Sequence, residues 1–333
     1  VDEFKYLNRD NNNYRSILRH PLLDKDGNLF FKRTSQFIKI SSCSNLIFQN
    51  THDLFHHSIE RDYEGNIWVP SHMYPQSLPF DKVGRNIPNA ANKSLFGDGG
   101  GYKDDAIVKL SPEGEILFEK SVSKIFIENG LEYLLFSLGE RYFDDDPIHL
   151  NDIQPVLGDG EFWKEGDLFL SLRHQSMILL YRPSTNKIIW KGAGPFFHQH
   201  DIDIIDDNRI SIFNNNSKAF INGDIVDGLN NIIIYDFNKN IYSFYLPDSF
   251  QKHDVRTITE GTSQILQNGD LFIEETNYAR TLYFNEDGSL RWTHLNRGDD
   301  GNVYMVSWSR ILYSKKDINN VNQFLKTRET CNE

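Results

Sequence analysis

Between Pro21 and Leu295 one pattern returns five times: a turn carrying Gly or Asn, an apolar strand, a variable connection, then a hairpin that ends in another strand. The strand openings read Gly27-Asn-Leu-Phe-Phe, Gly65-Asn-Ile-Trp-Val, Gly166-Asp-Leu-Phe-Leu, Asn208-Arg-Ile-Ser-Ile and Gly269-Asp-Leu-Phe-Ile. Gly and Asn suit a turn position of positive φ, and a repeat on this scale constrains the fold more tightly than composition does. Each opening is followed by a second apolar run, a polar turn and a third run. Clear copies are Ala106-Ile-Val-Lys-Leu with Glu115-Ile-Leu-Phe, Ile178-Leu-Leu-Tyr with Lys187-Ile-Ile-Trp, and Thr281-Leu-Tyr-Phe with Ser289-Leu-Arg-Trp. Adding the strand ahead of each turn, such as His57-Ser-Ile-Glu-Arg, gives four strands per unit, the blade of a β-propeller. The segment Asn302 to Ser314 is also strand-like and is expected to close a sixth blade with residues near the N-terminus. The expected fold is therefore all-β, a six-bladed β-propeller with four-stranded blades, plus inserted loops and a short helix. Two stacked sandwich domains are the competing arrangement.

The layout that follows has residues 1–20 as an N-terminal segment contributing to propeller closure, residues 21–314 as a single propeller, and residues 315–333 as a polar C-terminal tail. Insertions fall at 71–103 and 121–148. The first is rich in Pro, Asn and Gly and contains Gly97-Asp-Gly-Gly-Gly101. No helix pattern follows it, so it reads as a flexible loop or lid and not as a phosphate cradle. In the second, Ile125, Ile127, Leu131, Leu134 and Leu135 recur at helical spacing, which predicts a helix packed outside the blades.

Composition narrows the partners. Hydrophobic residues make up 39% and aromatics 13% of the 333 residues, enough for a large core. The formal net charge of -12, with no run of clustered Lys or Arg, argues against a nucleic-acid partner. The two cysteines, Cys43 and Cys331, lie far apart, and neither a structural zinc site nor a disulfide framework is expected. No stretch approaches the roughly 20 apolar residues that span a bilayer. The chain begins at Val1 and not Met, which is consistent with a signal or anchor removed before it.

Polar residues recur at fixed offsets from the turns. His57 precedes Gly65 and His200 precedes Asn208 by the same interval; Asn151, two after His149, holds the matching place in the third copy, and His198 stands two before His200. After the turns, His72, Arg173 and Asn215 share a second offset. Adjacent antiparallel strands bring the start of one to the end of the next, so both sets should face one mouth of the central channel. Blade symmetry should bring His200, His149, His57, Arg173 and Asn151 together, with His72, Asn215 and Thr262 as expected substrate-binding residues. Cationic and neutral donors converging in an acidic protein make a site for a small anion.

Three imidazoles near one axis also suit Fe or Zn. Against a metal, Arg173 adds a fixed positive charge and no acidic residue stands at the matched offsets, so no metal and no cofactor is expected. Strand alternation should turn His56 and His174 away from the face of His57 and Arg173, and they read as structural, as do His20, His253 and His294.

The runs Phe55-His-His-Ser-Ile, His149-Leu-Asn-Asp-Ile, Leu170-Ser-Leu-Arg-His-Gln, Lys187-Ile-Ile-Trp, Gln199-His-Asp and Ile212-Phe-Asn-Asn, in this order and spacing, resemble the arylsulfotransferases that work without a nucleotide sulfate donor. The resemblance runs from about Pro21 to Arg310. It implies a six-bladed propeller that moves a sulfuryl group from a phenolic sulfate ester to a phenolic or other hydroxyl acceptor through a sulfohistidine intermediate. The family's nucleophile corresponds to His200, and its helper positions match His57, His149, Asn151 and Arg173. It further implies a periplasmic or membrane-anchored extracytoplasmic location and a possible homo-oligomer, although the N-terminal domain through which some relatives dimerise has no counterpart here. The competing functions are a non-catalytic propeller used as a scaffold and a metal-dependent enzyme using the axial histidines.

Overall fold

The computed structural model describes residues 18–33, 35–51, 54–78, 102–137, 145–221, 223–327 and 331. Five antiparallel sheets follow one another along the chain. Blade 1 is β1 (Leu18–Leu23), β2 (Leu29–Arg33), β3 (Gln36–Ile40) and β4 (Leu46–Asn50). In blade 2 the short strands β5 (Leu54–Phe55) and β6 (Glu60–Arg61) share the first place beside β7 (Ile67–His72), followed by β8 (Asp105–Leu110) and β9 (Ile116–Ser121). Blade 3 is β10 (Leu150–Pro155), β11 (Leu168–Leu172), β12 (Met177–Arg182) and β13 (Lys187–Ala193). Blade 4 is β14 (His200–Asp206), β15 (Arg209–Asn214), β18 (Asn231–Asp236) and β19 (Ile241–Tyr245), and carries a separate hairpin of β16 (Ser217–Phe220) and β17 (Gly223–Val226). Blade 5 is β20 (Thr262–Ile265), β21 (Leu271–Glu275), β22 (Arg280–Phe284) and β23 (Leu290–Leu295).

The apolar runs sit where the physics requires. Strands in the middle of a blade are covered on both faces, so β11 and β12 are buried almost throughout, while the outermost strand β13 alternates exposed and half-buried. Separate apolar clusters fill the spaces between successive blades, for example Phe55, Val69 and Val108 with Phe30 and Phe37 between blades 1 and 2. One polar device repeats toward the axis. Ser58 accepts from the Ile153 N–H, Asp152 from the Ile202 N–H and Asp201 from the Ser263 N–H, each tying one first strand to the next.

Among the described residues five blades, not six, are present. The expected sixth fails because its intended partner is already used: residues 18–23 are the first strand of blade 1, in register with β2 from Leu18↔Arg33 to Leu23↔Leu29. Residues 303–314 contain no strand and wedge between the ends of the ring instead. The Trp308 and Ser309 N–H groups donate to Glu274 of blade 5, Ser307 O accepts from the His20 N–H of blade 1, and Arg310 donates to Pro21 O, Ile59 O and Glu60.

Two further expectations change. Residues 121–136 form α1 (Val122–Glu128) and α2 (Tyr133–Phe136), which do not lie outside the blades. Val122, Ile125, Phe126, Leu131 and Leu135 are buried in the cluster between blades 2 and 3. The cysteines do pair: a disulfide joins Cys43 to Cys331, with Cα atoms 5.4 Å apart. Separation in sequence was no bar, because the polar C-terminal segment folds as α4 (Lys315–Thr327), with Phe324 against Gly27 of blade 1; α3 (Pro247–His253) lies between blades 4 and 5. The Gly97–Gly101 motif and most of the 71–103 insertion lie outside the described residues, as does His52. No helix among the described residues is long and apolar enough to cross a membrane.

Candidate active site

Left-handed backbone at the channel mouth builds the site. His20, His57, His149, His198 and Glu260, one from each blade, have φ of 54°, 52°, 53°, 49° and 54°. Non-glycine residues rarely hold that conformation, and such strain concentrates at functional sites. It also breaks the strand alternation at His56, while His174 lies in the turn at 173–176 that follows β11, so neither turns away as expected. His56 Nδ1 lies 2.8 Å from His57 Nδ1, and the His174 ring stacks on His149 at 4.3 Å.

The three expected histidines converge. The His57 ring centre is 5.0 Å from that of His149 and 6.1 Å from that of His200. His20, read from the sequence as an ordinary packing residue, is buried beside them, 6.4 Å from His57 and 4.5 Å from Trp308.

The protonation pattern of His200 follows from its neighbours. Asn215 Nδ2 donates to Thr257 O and Glu260 O, so its Oδ1 is an acceptor and takes the proton of His200 Nδ1 at 2.7 Å. The lone pair of His200 is therefore on Nε2, where the Glu260 N–H donates to it at 3.1 Å. Burial, and then the positive charge of Arg173, hold the His200 pKa well below the usual imidazole range. A neutral ring with a defined lone pair is what a nucleophile needs.

His149 has the opposite kind of support. Its Nδ1 is 2.8 Å from Oδ2 of Asp146, a carboxylate that also meets Lys103 at 2.7 Å. Burial, the largest single influence, would raise the Asp146 pKa, but the hydrogen bond and charge of His149, together with the charges of His174 and Lys103, outweigh it and hold the carboxyl below the usual range. Arg173, nearly buried, pairs with Asp224 of the β16–β17 hairpin at 3.2 Å. Asn151 is fully buried and donates through Nδ2 to Gln199 O at 2.7 Å.

Two expected substrate residues sit elsewhere. His72 stands behind His56, ring centres 4.2 Å apart, with Nδ1 3.5 Å from Asp105 Oδ1. Thr262 donates to Asp201 Oδ2 at 2.8 Å and lines a cavity with Glu60, Asp203 and Arg310, not the histidine cluster. Asp105, Asp146 and Asp224 were missed because each arrives from outside the repeat offsets. Only the pairing His72↔Asp105 across β7 and β8 would have signalled one of them, and the 71–103 insertion hides it in the sequence.

Fold and site together define a β-propeller with a histidine-rich channel mouth that carries a guanidinium. The profile of the arylsulfotransferase (ASST) family matches residues 22–297, and the chain belongs to that family. Comparison with curated proteins gives no significant match. Among solved structures, a protein of unknown function from Bacteroides caccae is similar with a TM-score of 0.51 at 10% identity, over 83% of this chain and 80% of that one. A streptogramin B lyase is similar with a TM-score of 0.44 at 12% identity, over 87% and 90% of the two chains. The likeness to the Bacteroides caccae protein speaks for the fold alone.

Proposed function

We propose that this chain transfers a sulfuryl group from an aryl sulfate ester to a phenolic or other hydroxyl acceptor, with His200 as the covalent carrier. Family membership supports the reaction class. The observation that carries the assignment is the clamp on His200: Asn215 holds the Nδ1 proton and leaves Nε2 as the nucleophile. Nε2 attacks sulfur, the N–S bond forms, and the S–O bond to the aryl oxygen breaks. His149 delivers a proton to that oxygen, with Asp146 stabilising the imidazolium before release. In the second half, neutral His149 takes the acceptor's proton as its oxygen attacks sulfur and the N–S bond breaks. Arg173 offsets charge on the non-bridging oxygens, and positioning supplies much of the rate. The Glu260 N–H must leave Nε2 before attack. The Cys43–Cys331 disulfide supports an oxidising, extracytoplasmic setting.

Incubation with a chromogenic aryl sulfate, with and without a phenol, tests this reading. A burst of phenol with one sulfuryl group on His200, both lost in His200→Asn, is expected. No turnover with any aryl sulfate would favour a scaffold role, and a label on another side chain would overturn the assignment of His200.

A further inference from the structure

Behind His57, in the wall of blade 2, lie four buried polar atoms that face one another without a well-formed hydrogen bond among the described residues: His56 Nε2, His72 Nδ1 and both carboxylate oxygens of Asp105. Asp105 is fully buried and the His72 side chain is 9% exposed. Orphaned groups in such a place each cost free energy unless something satisfies them. His56 Nε2 lies 3.3 Å and His72 Nδ1 3.5 Å from Asp105 Oδ1, and one ligand atom of each residue lies within 4.8 Å of the others. A zinc ion about 2.0–2.2 Å from each of two tetrahedral ligands holds them roughly 3.4 Å apart, so these spacings are those of ligands around an ion.

A second group, Asp146, His149 and His174, has similar composition. Its atoms are already engaged: His149 Nδ1 and Lys103 Nζ bond Asp146 Oδ2, and His174 Nδ1 bonds Asp146 O at 2.5 Å. It is a hydrogen-bonded network, whereas the two imidazole nitrogens of the His56 group turn toward one carboxylate oxygen without forming a well-aligned hydrogen bond to it.

We propose that His56, His72 and Asp105 bind one divalent transition-metal ion. Two imidazoles and one carboxylate suit Zn²⁺, Co²⁺ or Fe²⁺ better than Mg²⁺ or Ca²⁺ and leave a coordination position open. The expectation that no metal binds rested on the fixed charge of Arg173 in the axial pocket and on the lack of acidic residues at the repeat offsets. Asp105 enters through cross-strand pairing with His72 instead. The ion also has a second-shell partner. Coordination through His56 Nε2 keeps that ring's proton on Nδ1, which donates to His57 Nδ1 at 2.8 Å and leaves the His57 proton on Nε2. The metal thereby sets the tautomer of a residue in the histidine cluster without entering it.

The test uses the full chain, stripped with a chelator and titrated with Co²⁺ and with Zn²⁺. One equivalent of Co²⁺ should bind with micromolar or tighter affinity, give the visible absorption of a tetrahedral site, yield to Zn²⁺ and raise the thermal midpoint. His72→Ala and Asp105→Asn should weaken binding by more than about 100-fold, and His57→Phe by about 10-fold, as removal of a second-shell partner does. His174→Ala should bind as the parent does. Failure of the parent protein to bind either metal below about 100 μM overturns the proposal without reference to any variant, as does binding that survives both ligand variants or is lost only in His174→Ala. The readout is metal binding, so it stands or falls separately from sulfuryl transfer.

Discussion

The backbone N–H of Glu260 donates to Nε2 of His200 over 3.1 Å, and that bond occupies the lone pair through which the proposed sulfuryl transfer would run. Glu260 is held there by the next residue. Gly261 has φ of 91°, and a Cβ on it would lie 2.6 Å from Phe213 Cε1 and 2.7 Å from Thr257 Cγ2. Since Phe213 and Thr257 are both fully buried, neither can withdraw cheaply. Gly261→Ala is expected to displace the Glu260 carbonyl that anchors Asn215, loosen the Asn215 hold on His200 Nδ1 and slow labelling of His200 by roughly 100-fold, the scale of a 1 Å misplacement. Pre-steady-state phenol release checks it; an unchanged burst would mean that the turn does not position the nucleophile.

Asp146 should matter most for poor leaving groups. Asp146→Asn removes the charge that stabilises the His149 imidazolium while keeping a similar shape. With sulfate esters of weakly acidic phenols, transfer should fall by about 10²- to 10⁴-fold, the contribution of a general acid. Esters of strongly acidic nitrophenols, which leave unaided, should lose much less. A plot of rate against phenol pKa should steepen, and an unchanged slope would remove His149 from the acid role.

The other end of the channel carries a pH signature in stability. Burial first, then Glu60 and Asp152, push the Asp203 carboxyl up to about 7. A folded-state pKa above the unfolded one means the contribution is present below the ordinary carboxylate value, about 3.9, and is lost as pH rises through 7. Asn does not ionise, so Asp203→Asn should gain stability relative to the parent between pH 4 and pH 8, by roughly 1–3 kcal/mol. Urea unfolding at the two pH values measures the difference. A constant offset would show that Asp203 titrates normally.

The disulfide ties the C-terminal segment to the β3–β4 hairpin of blade 1. Replacing both Cys43 and Cys331 by Ser should cost about 2–4 kcal/mol, the usual contribution of such a link. Thermal unfolding of the variant, and of the parent under reductant, should fall together. The burst at His200 should persist in the variant at a temperature where it remains folded.

The blade pattern was legible because a strand packed on both faces must be apolar along its length, and because each hairpin needs its own turn residue. Gly27, Gly65, Gly166 and Gly269 all adopt positive φ as read. The convergence of His57, His149 and His200 was legible for the same reason, since repeat offsets translate directly into positions around an axis. The blade count was not: residues 302–314 have strand-like composition, but pairing needs a partner strand, and β1 had already taken the N-terminal one. Alternation likewise failed at His56 and His174, because it assumes extended backbone, whereas His57 is left-handed and His174 lies in the turn that follows β11.

By itself, then, the sequence determined the repeating unit, the convergence of His57, His149 and His200 and the family signature, all of which depend on local periodicity. Tertiary structure decided what touches across blades. Asn215 sets the tautomer of His200, Asp146 backs His149, Asp105 closes on His56 and His72, and Cys43 finds Cys331. These contacts follow from how far the chain turns between one blade and the next and from where its insertions return, and no local periodicity encodes either.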